Sequence, residues 1–457
     1  MNLVTIDPST GERLEAWVET SEEEVDLALG RAQRAFTEWA GRPLEERRVP
    51  MLRLASLLRE EAEVLSLCMA REMGKPIAQG RAEIEKCARV CEHYAEHAGE
   101  YLSERKLPPI PETVTVAPRP LGPVYAIMPW NFPFWQVLRF VAPTLMAGNV
   151  AILKHAPGVP GCARAIVDLV RRAGFPDGVF ESLRLGESRA EALIARPEIV
   201  AVTLTGSTTA GRAVAAAAGR AIKPCVLELG GSDAAVVLED ADLELAVEEC
   251  VASRLINTGQ SCIAAKRWIV AEEIAREFTE RATAAMAARR WGNPILDREA
   301  ELGPLARFDL RDHLADQVAR SLRGGATLLC GGETPAGAGA FYPPTLLADV
   351  EPGSPAFEEE LFGPVAAITL ARDEAHAVAL ANATSFGLGA SVFTRDSERG
   401  ERIARDQLRA GSCFVNTLVR SDPGVPFGGI GASGHGRELG REGILAFMNL
   451  KAVVVRR

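Results

Sequence analysis

Residues 201–211 read AVTLTGSTTAG, and this stretch decides the fold class of the chain. The apolar run Ala201–Leu204 predicts a short buried strand, and the turn around Gly206 that follows it is predicted to open a helix. A glycine turn at a helix N-terminus suits a phosphate group. The GxGxxG dinucleotide fingerprint is absent. So is the phosphate loop of nucleoside triphosphatases, because Arg212-Ala213 stand where a Lys and a Ser or Thr would be required. The stretch therefore indicates some phosphate contact of unspecified type.

The same alternation of apolar runs and helical stretches extends to both sides of this unit. A helix over Pro160–Arg172, for example, is predicted to end before Gly174. The strand candidates of this half are Val124–Met128, Val150–Leu153, Phe180–Leu185, Ala201–Leu204, Cys225–Leu229 and Ala234–Leu238. Such alternation predicts a parallel, doubly wound α/β sheet. Sheets of this kind bind ligands at the carboxyl ends of their strands.

The flanking segments complete the predicted organisation. A capping box at Ser21 and Glu24 starts the first of several helices, so the chain is predicted to open with an all-helical layer, with later helices over about 44–72 and 77–102. Beyond Asp240 the alternation resumes with a helix over Leu243–Leu255 and a strand over Arg267–Val270, which predicts a second α/β domain.

A proline-rich segment between residues 103 and 123 interrupts this pattern. It contains the alternating run Thr113–Val116, which predicts an extended arm that pairs with another strand or subunit. Ala452–Val455, near the end of the chain, is a second candidate for the same role. The two segments together predict at least a dimer.

Bulk composition narrows the functional classes. The chain has 457 residues, a net charge of -10 and 47% hydrophobic residues, which predicts two or three globular domains with large cores. No basic stripe of a nucleic-acid binder, membrane-spanning run or signal peptide is visible. Nine cysteines without a pairwise framework indicate reduced thiols and a cytoplasmic location. His93 and His97 share a helix face, but without a metal-binding motif around them we expect no metal.

The polar turn Asn257–Cys262 carries the first candidate for chemistry. Gly259 allows close approach of the backbone to a substrate, and the cysteine stands at a loop end among hydroxyl and amide groups. These features suit a nucleophile. A free cysteine is usually a small buried hydrophobe, so the turn alone does not decide between the two interpretations.

Two further side chains stand at strand ends. Asn131, in PWNFP (129–133), could donate to an oxyanion, or it could simply satisfy a turn between two prolines. Glu228, in LELGG (227–231), lies between leucines, and an apolar setting raises the pKa of a carboxyl group towards that of a useful base. It could equally point to solvent.

The ordered combination of motifs is more specific than any one of them. PWNFP, LTGSTTAG (204–211), LELGG, GQSC (259–262), EELFGP (359–364) and PFGGIGASGHGRELG (426–440) occur in this order. The set resembles the NAD(P)-dependent aldehyde dehydrogenase superfamily, starting at DPSTGE (7–12), and among its members the succinate-semialdehyde dehydrogenases. The resemblance implies a Rossmann-like cofactor domain (1–104 and 124–228), a catalytic domain (229–436) and a small β arm for oligomerisation (105–123 and 437–457). A homodimer or homotetramer is expected.

The resemblance also implies catalytic roles. Cys262 would attack the aldehyde carbon, and the oxyanion would lie between the side chain of Asn131 and the backbone N–H of Cys262. Hydride transfer to the nicotinamide would leave a thioester, which water activated by Glu228 would hydrolyse. Ala264 replaces a second cysteine found in some relatives, so a redox switch beside the nucleophile is not expected.

Cofactor residues follow by the same comparison. Trp130 lies in the cofactor-binding PWNFP motif, Glu360 would hold the nicotinamide ribose with Phe362 packing nearby, and the pyrophosphate turn would comprise Gly206, Ser207 and Gly211. Lys154 would contact the adenosine ribose. Pro157 occupies the position where NAD-preferring members often have a Glu that repels a 2′-phosphate. With Lys154, and His155 as a second candidate, supplying positive charge, we expect NADP to be accepted, with the preference between NADP and NAD left open, and no metal to be needed.

The substrate class rests on fewer residues. Arg139 and Ser421 match an Arg and a Ser that hold the substrate carboxylate in succinate-semialdehyde dehydrogenases, and Phe427 lies beside them in the last motif. Ile256 replaces a second Arg. The alternatives are that Arg139 is a scaffold ion-pair residue, that the substrate is a neutral aliphatic or aromatic aldehyde, that the enzyme acylates coenzyme A, and that the fold is a non-catalytic binding or structural protein.

Overall fold

The computed structural model describes residues 2–108 and 112–456, with only the backbone of residues 2 and 3. The described residues form strands at Asn2–Ile6 (β1), Arg13–Val18 (β2), Arg105–Lys106 (β3), Thr113–Pro120 (β4), Pro123–Met128 (β5), Val150–His155 (β6), Phe180–Ser182 (β7), Ala201–Thr205 (β8), Cys225–Glu228 (β9), Ala234–Val237 (β10), Arg267–Ala271 (β11), Thr327–Cys330 (β12), Thr345–Ala348 (β13), Val365–Ala371 (β14), Gly389–Phe393 (β15), Ser412–Val415 (β16), Gly434–His435 (β17) and Met448–Val455 (β18).

The α-helices of the same residues lie at Glu22–Trp39 (α1), Leu44–Glu60 (α2), Ala62–Met73 (α3), Ile77–Tyr101 (α4), Trp135–Met146 (α5), Pro160–Arg172 (α6), Glu187–Ile194 (α7), Thr208–Arg220 (α8), Leu243–Leu255 (α9), Ala275–Ala287 (α10), Phe308–Arg323 (α11), Pro355–Glu358 (α12), Glu374–Asn382 (α13), Ser397–Arg402 (α14) and Gly440–Leu445 (α15). Short 3-10 or π turns occupy Ile256–Gly259, Glu272–Ile274, Ile403–Gln407 and Gly431–Ser433. None of the helices in the described part of the chain has both the length and the apolar character that a membrane crossing requires.

The first sheet has the strand order β17-β9-β8-β5-β6-β7 and is parallel except for β17. Its strands are near-continuous apolar runs, as expected for a parallel sheet buried on both faces. The chain leaves β5 for β6 on one side and later returns to β8 on the other, which makes a topological switch point at β5. Asn131 follows β5, Lys154 lies in β6, Gly206 follows β8 and Glu228 ends β9, so all four meet at one edge of the sheet.

The second sheet has the order β12-β13-β14-β11-β10-β15-β16 and is parallel except for β12. It has its own hydrophobic cores on its two faces, separate from the core of the first sheet. The two doubly wound α/β units predicted from the alternation of apolar runs and helices are therefore confirmed. The Cys262 turn lies between α9 and β11, at the carboxyl end of the helix and the start of the strand.

The two candidate arm segments pair with each other. β18 runs antiparallel to β4, with Thr113 opposite Val455 and Met448 opposite Pro120, and β3 completes a three-stranded sheet. Residues 109–111 of the predicted arm lie outside the described residues. β18 is almost entirely exposed, and Val454 is 60% exposed.

Two expectations about the start of the chain are wrong. The chain opens with the hairpin β1-β2 instead of a helix, and the turn between its strands is held by the Ser9 N–H donating to Asp7 at 2.8 Å. β2 is mostly exposed, so it carries no apolar alternation that would mark it as a strand. The single helix expected over 44–72 is two helices, because Glu61 leaves the helical conformation with φ -107° and ψ 11°.

Candidate active site

The turn before the candidate nucleophile has a strained backbone. Asn257 and Thr258 have φ of 53° and 57°, in the left-handed region, and Gly259 follows with φ 73°. Each non-glycine residue there costs about 1–3 kcal/mol, so the surrounding structure must hold the turn. The Asn257 side chain donates to the carbonyl of Asn131 at 2.6 Å, and the Thr258 hydroxyl accepts from the Gly303 N–H at 3.0 Å. The bonds to Asn131 and from Gly303 thus hold the turn in its left-handed conformation.

Glycines let three of the sequence motifs meet at this turn. A Cβ on Gly259 would lie 2.1 Å from the Gly363 carbonyl oxygen, and a Cβ on Gly231 would lie 2.2 Å from the Cys262 carbonyl oxygen. Both distances are impossible for any other residue. The glycines of GQSC and LELGG therefore allow the nucleophile loop to touch EELFGP and the end of the first sheet.

Arg254, in the last turn of α9, fixes the two ends of the cysteine loop. It is buried, and its guanidinium donates to the carbonyls of Gly259 at 2.5 Å and Ala264 at 3.1 Å, and to that of Leu361 at 3.2 Å. Arg254 is not among the residues predicted from the sequence. Its only sequence signal is a charged residue on the buried side of a helix directly before the motif.

Asn131 couples the end of β5 to the same loop. Its buried side-chain amide donates to the Gln260 carbonyl at 3.1 Å, and its own carbonyl accepts from Lys75 at 2.9 Å. A side-chain amide has two N–H groups, so one remains to donate to another acceptor. The structure thus brings Asn131 and the Cys262 turn together, as an oxyanion site requires.

The thiol of Cys262 is protonated in this environment. Burial raises the pKa of Cys262 to about 12, the positive charge of Arg139 opposes that rise, and Glu360 adds to it. Because the thiolate is the reactive form, activation needs a base or an additional positive charge at the site.

Glu228 is a buried carboxyl group without a hydrogen-bond partner on either oxygen among the described residues. Burial, and then the nearby Glu438 carboxylate, raise the pKa of Glu228 well above its usual range, while Arg139 lowers it. A Cβ on Gly428 would lie 2.7 Å from Glu228 Oε1, so the glycine of PFGG makes room for this side chain. A carboxyl group with free oxygens and a raised pKa suits a general base near neutrality.

The residues expected at the nicotinamide end form a second group. Glu360 accepts from the Gly231 N–H at 2.9 Å, and Trp130 meets Phe362 edge to face with ring centroids 5.7 Å apart. Lys266 is buried behind this loop and donates to the carbonyls of residues 356, 357 and 359. Its ammonium therefore fixes the EELFGP loop from behind.

One prediction for the adenosine end of the expected cofactor site is wrong. Lys154 is buried at the end of β6 and takes part in no ion pair among the described residues, and Pro157 is exposed nearby. His155 supplies no positive charge. Burial lowers the pKa of His155 to about 4, and its ring nitrogens face the carbonyls of Met128 and Pro133 at 3.3 and 2.9 Å.

The residues of the expected pyrophosphate turn differ in their surroundings. Ser207 is the N-cap of α8 and accepts from the Ala210 N–H at 3.2 Å, and Gly206 precedes it directly. Gly211 is buried in the helix, where a Cβ would lie 2.5 Å from the Leu229 side chain. Gly211 thus allows α8 to pack closely on the residue directly after β9, whereas Gly206 and Ser207 are at the helix N-terminus itself.

A cavity of about 440 Å³ opens on Cys262 and contains all three expected substrate residues, Arg139, Ser421 and Phe427. Arg139 forms a buried ion pair with Glu438 and lies over the Phe427 ring at 5.1 Å. The scaffold ion pair that the sequence left as an alternative for Arg139 is therefore present, although the same side chain lines the cavity.

Lys86, on α4, also lines this cavity and was not selected from the sequence. Its ammonium donates to the Ser421 hydroxyl at 2.7 Å. The two residues are 335 positions apart, so only the tertiary structure brings them together.

One group of described residues has metal-ligating atoms close together: Cys68, Glu72 and Cys162, within 4.8 Å of one another. Glu72 accepts the N–H groups of Gly161 and Cys162 at 2.7 and 2.9 Å, so it caps the N-terminus of α6. The positive end of a helix disfavours a cation at that place.

Comparison with known proteins agrees with this assembly. The profile of the aldehyde dehydrogenase family matches residues 2–453, and the chain belongs to this family.

Individual relatives cover nearly the whole chain. The NAD(P)+ succinate semialdehyde dehydrogenase Sad of Escherichia coli is 47% identical over 450 residues, covering 98% of this chain and 97% of that protein. A probable NADP+ succinate-semialdehyde dehydrogenase of Synechocystis is 46% identical and covers 99% of both chains. The solved structure of succinic semialdehyde dehydrogenase from Streptococcus pyogenes, in complex with NADP+, is 33% identical with a TM-score of 0.97 and covers 100% of both chains.

Proposed function

We propose that this aldehyde dehydrogenase oxidises succinic semialdehyde to succinate, with NADP+ as the preferred and NAD+ as the alternative oxidant. The observation that carries the proposal is the cavity at Cys262, which is largely apolar but contains Arg139, Ser421 and Lys86. Cations and a hydroxyl in a largely apolar cavity suit an aldehyde with a carboxylate at its other end. The printed functions of the relatives from Escherichia coli and Synechocystis support the same substrate.

Cys262, Asn131 and Glu228 have different roles in the proposed reaction. Cys262 loses its proton and adds to the aldehyde carbon, and the free N–H of Asn131 and the Cys262 backbone N–H donate to the oxyanion. When bound, the nicotinamide cofactor supplies a positive charge and accepts the hydride. Glu228 then takes a proton from the water that hydrolyses the thioester, which releases the acid and the thiol. The balance is one aldehyde, one water and one oxidised cofactor for one acid, one reduced cofactor and one proton.

The site fits a dinucleotide cofactor by its own chemistry. Gly206 and Ser207 stand at a helix N-terminus, which suits a pyrophosphate, and Glu360 is poised beside the Trp130–Phe362 pair for the ribose next to the nicotinamide. Lys154 carries a positive charge without an ion-pair partner among the described residues, and Pro157 brings no negative charge. This charge balance supports acceptance of the 2′-phosphate of NADP+.

Initial rates with a series of aldehydes and both cofactors test the proposal. We expect the highest kcat/KM with succinic semialdehyde and NADP+. The proposal is wrong if butanal, a neutral aldehyde with the same number of carbons, is turned over with equal or higher kcat/KM.

A neutral substrate is the second candidate, because one observation favours it. Glu438 neutralises Arg139, and the aromatic rings of Phe132, Trp135 and Phe427 line the same cavity. An enzyme of this kind would prefer aliphatic or aromatic aldehydes without a charge, and the same series of rates separates the two candidates.

We also propose the division into a cofactor domain (1–104 and 124–228), a catalytic domain (229–436) and an arm (105–123 and 437–457), and assembly as a homodimer or homotetramer. The assembly is supported by the exposed strand β18, which includes Leu450 and Val454 at 54% and 60% exposure. Light scattering on the full chain measures the subunit number, and a monomer would contradict the proposal. A cytoplasmic location is proposed on the nine cysteines, all of which are free thiols.

A further inference from the structure

Four cationic side chains line the cavity at Cys262: Lys86, Arg139, Arg289 and Arg420. A substrate carboxylate binds most strongly to a cation that is shielded from water and not already neutralised by a protein carboxylate. These two criteria distinguish the four side chains.

Three of the four fail one of the criteria. Arg139 is paired with Glu438, and Arg289 is paired with Glu301 at 2.7 Å. Arg420 is exposed at the mouth of the cavity, where solvent screens its charge.

Lys86 meets both criteria within the described part of the chain. Its ammonium lies 4.2 Å from the centre of the Trp135 ring, which shields it from water, and it takes part in no ion pair. Glu83, one turn earlier on α4, is occupied: it pairs with Lys75 and accepts the N–H groups of Phe134 and Trp135 at 2.9 Å. Burial, and then the positive charge of Arg139, lower the pKa of Lys86 to about 8, as expected for a cation without a counter-charge.

The partner of Lys86 is complementary to a carboxylate as well. Ser421 is buried, and its hydroxyl oxygen accepts from Lys86 at 2.7 Å. Because the oxygen accepts this bond, the hydroxyl proton remains to be donated elsewhere. An ammonium and a hydroxyl donor thus stand side by side in the cavity wall.

We propose that Lys86, with Ser421, is the principal anchor for the carboxylate of the substrate, and that it determines the preference for a carboxylated aldehyde. Arg139 is then a positioning residue, held by Glu438, that shapes the cavity and acts on the charges around Cys262. This assignment rests on the proposed function and names the residue through which its specificity arises.

The test compares kcat/KM for succinic semialdehyde and for butanal, with NADP+, in the variants Lys86→Met, Lys86→Arg and Arg420→Met. Methionine keeps the length and the contact with Trp135 but removes the charge. We expect the ratio of the two kcat/KM values to fall about 10- to 100-fold in Lys86→Met, chiefly through KM for succinic semialdehyde. Lys86→Arg retains most of the ratio, and Arg420→Met, which removes the exposed cation, leaves it unchanged.

A second measurement does not depend on turnover of the charged substrate. Succinate, a dicarboxylate of the same length, should inhibit butanal oxidation by the wild type competitively, and this inhibition should weaken in Lys86→Met. Butanal turnover by the same variant shows that it is folded.

The outcomes distinguish the role of Lys86 from the proposed function. If the wild type prefers succinic semialdehyde and Lys86→Met keeps both that preference and the inhibition by succinate, the role of Lys86 is refuted and the proposed function stands. If Arg420→Met shows the loss instead, the anchor lies at the mouth. A wild type that prefers butanal overturns both.

Discussion

Arg139 and Glu438 form a buried ion pair, and both residues act electrostatically on the carboxyl group of Glu228. Arg139 lowers the pKa of Glu228 and Glu438 raises it, so the pair adjusts the pKa of the proposed general base as well as shaping the cavity. The final sequence motif, in which Glu438 lies, thereby affects the pKa of Glu228 as well as lining the cavity through Phe427.

The variant Glu438→Gln tests this relationship. Removing the negative charge leaves Arg139 unopposed, so the pKa of Glu228 falls and Glu228 stays ionised at lower pH. We expect the acidic limb of the kcat profile to move to lower pH. Glu442→Gln, an exposed residue on α15, is the matched control and should leave the profile unchanged. A limb that stays in place or moves upward contradicts the assignment.

Replacement of Glu228 by Gln separates the two halves of the reaction. Without the carboxylate, water is not activated, so hydrolysis of the thioester should slow by about 10²- to 10⁴-fold. Rapid-mixing measurements should then show a burst of reduced cofactor of up to one equivalent per Cys262, followed by very slow turnover. Steady turnover at the wild-type rate would exclude Glu228 as the base.

Arg254→Met should loosen the nucleophile loop. The carbonyls of Gly259, Ala264 and Leu361 would lose their buried donor, which we expect to lower the free energy of unfolding by about 2–4 kcal/mol. Urea unfolding followed by tryptophan fluorescence measures this change. Arg276→Met, which removes an exposed ion pair, should change it by no more than about 0.5 kcal/mol. Equal effects of the two variants would refute the role of Arg254.

A negative charge at position 157 should alter the choice of cofactor. In Pro157→Glu the new carboxylate would lie near Lys154 and repel the 2′-phosphate, so kcat/KM for NADP+ should fall at least about tenfold while that for NAD+ is kept. Gly158→Ala is a suitable control, because a Cβ there meets no atom within 4 Å. A wild type with NAD+ at least tenfold better than NADP+ would contradict the expected preference directly.

The charge on Lys86 predicts a pH dependence of substrate binding. Because the pKa of Lys86 is lowered to about 8, its side chain carries a positive charge below that pH and is neutral above it. KM for succinic semialdehyde should therefore rise between about pH 7.5 and 9 relative to KM for butanal. The charged or titratable groups acting on Lys86 are Arg139, Cys87, Arg89 and Glu83, and all remain unchanged in this comparison. Parallel behaviour of the two substrates would argue against a charged anchor.

Much of the fold is predictable from the sequence, for reasons that particular elements show. The helix α9 begins at Leu243 and ends at Leu255 as predicted, and β5 ends at Met128, because apolar runs bounded by turn residues mark both elements. The strand β2 is not predictable from the sequence, because it is mostly exposed and lacks such an apolar pattern.

The residues of the candidate site also fall into a group that can be predicted from the sequence and a group that cannot. Asn131, Glu228 and Cys262 stand in short motifs whose residue types suggest their chemistry, and they can be selected without a structure. Arg254 and Lys86 cannot, because their roles depend on partners 107 and 335 positions away, Leu361 and Ser421. The role of a single Lys or Arg on a helix cannot be predicted from the sequence, because it depends on the residues that the side chain contacts in the folded protein.

The left-handed turn at Asn257 and Thr258 has a consequence for the maturation of the enzyme. Its strain is offset by the bond that the Asn257 side chain donates to the Asn131 carbonyl, at the edge of the first sheet, and by the bond that the Gly303 N–H, far along the chain, donates to Thr258. A chain in which only one of the two α/β units has formed lacks one of these restraints, so we expect the turn to relax in it. We therefore expect the thiol to be aligned with its proposed oxyanion donor only after both units have folded and docked.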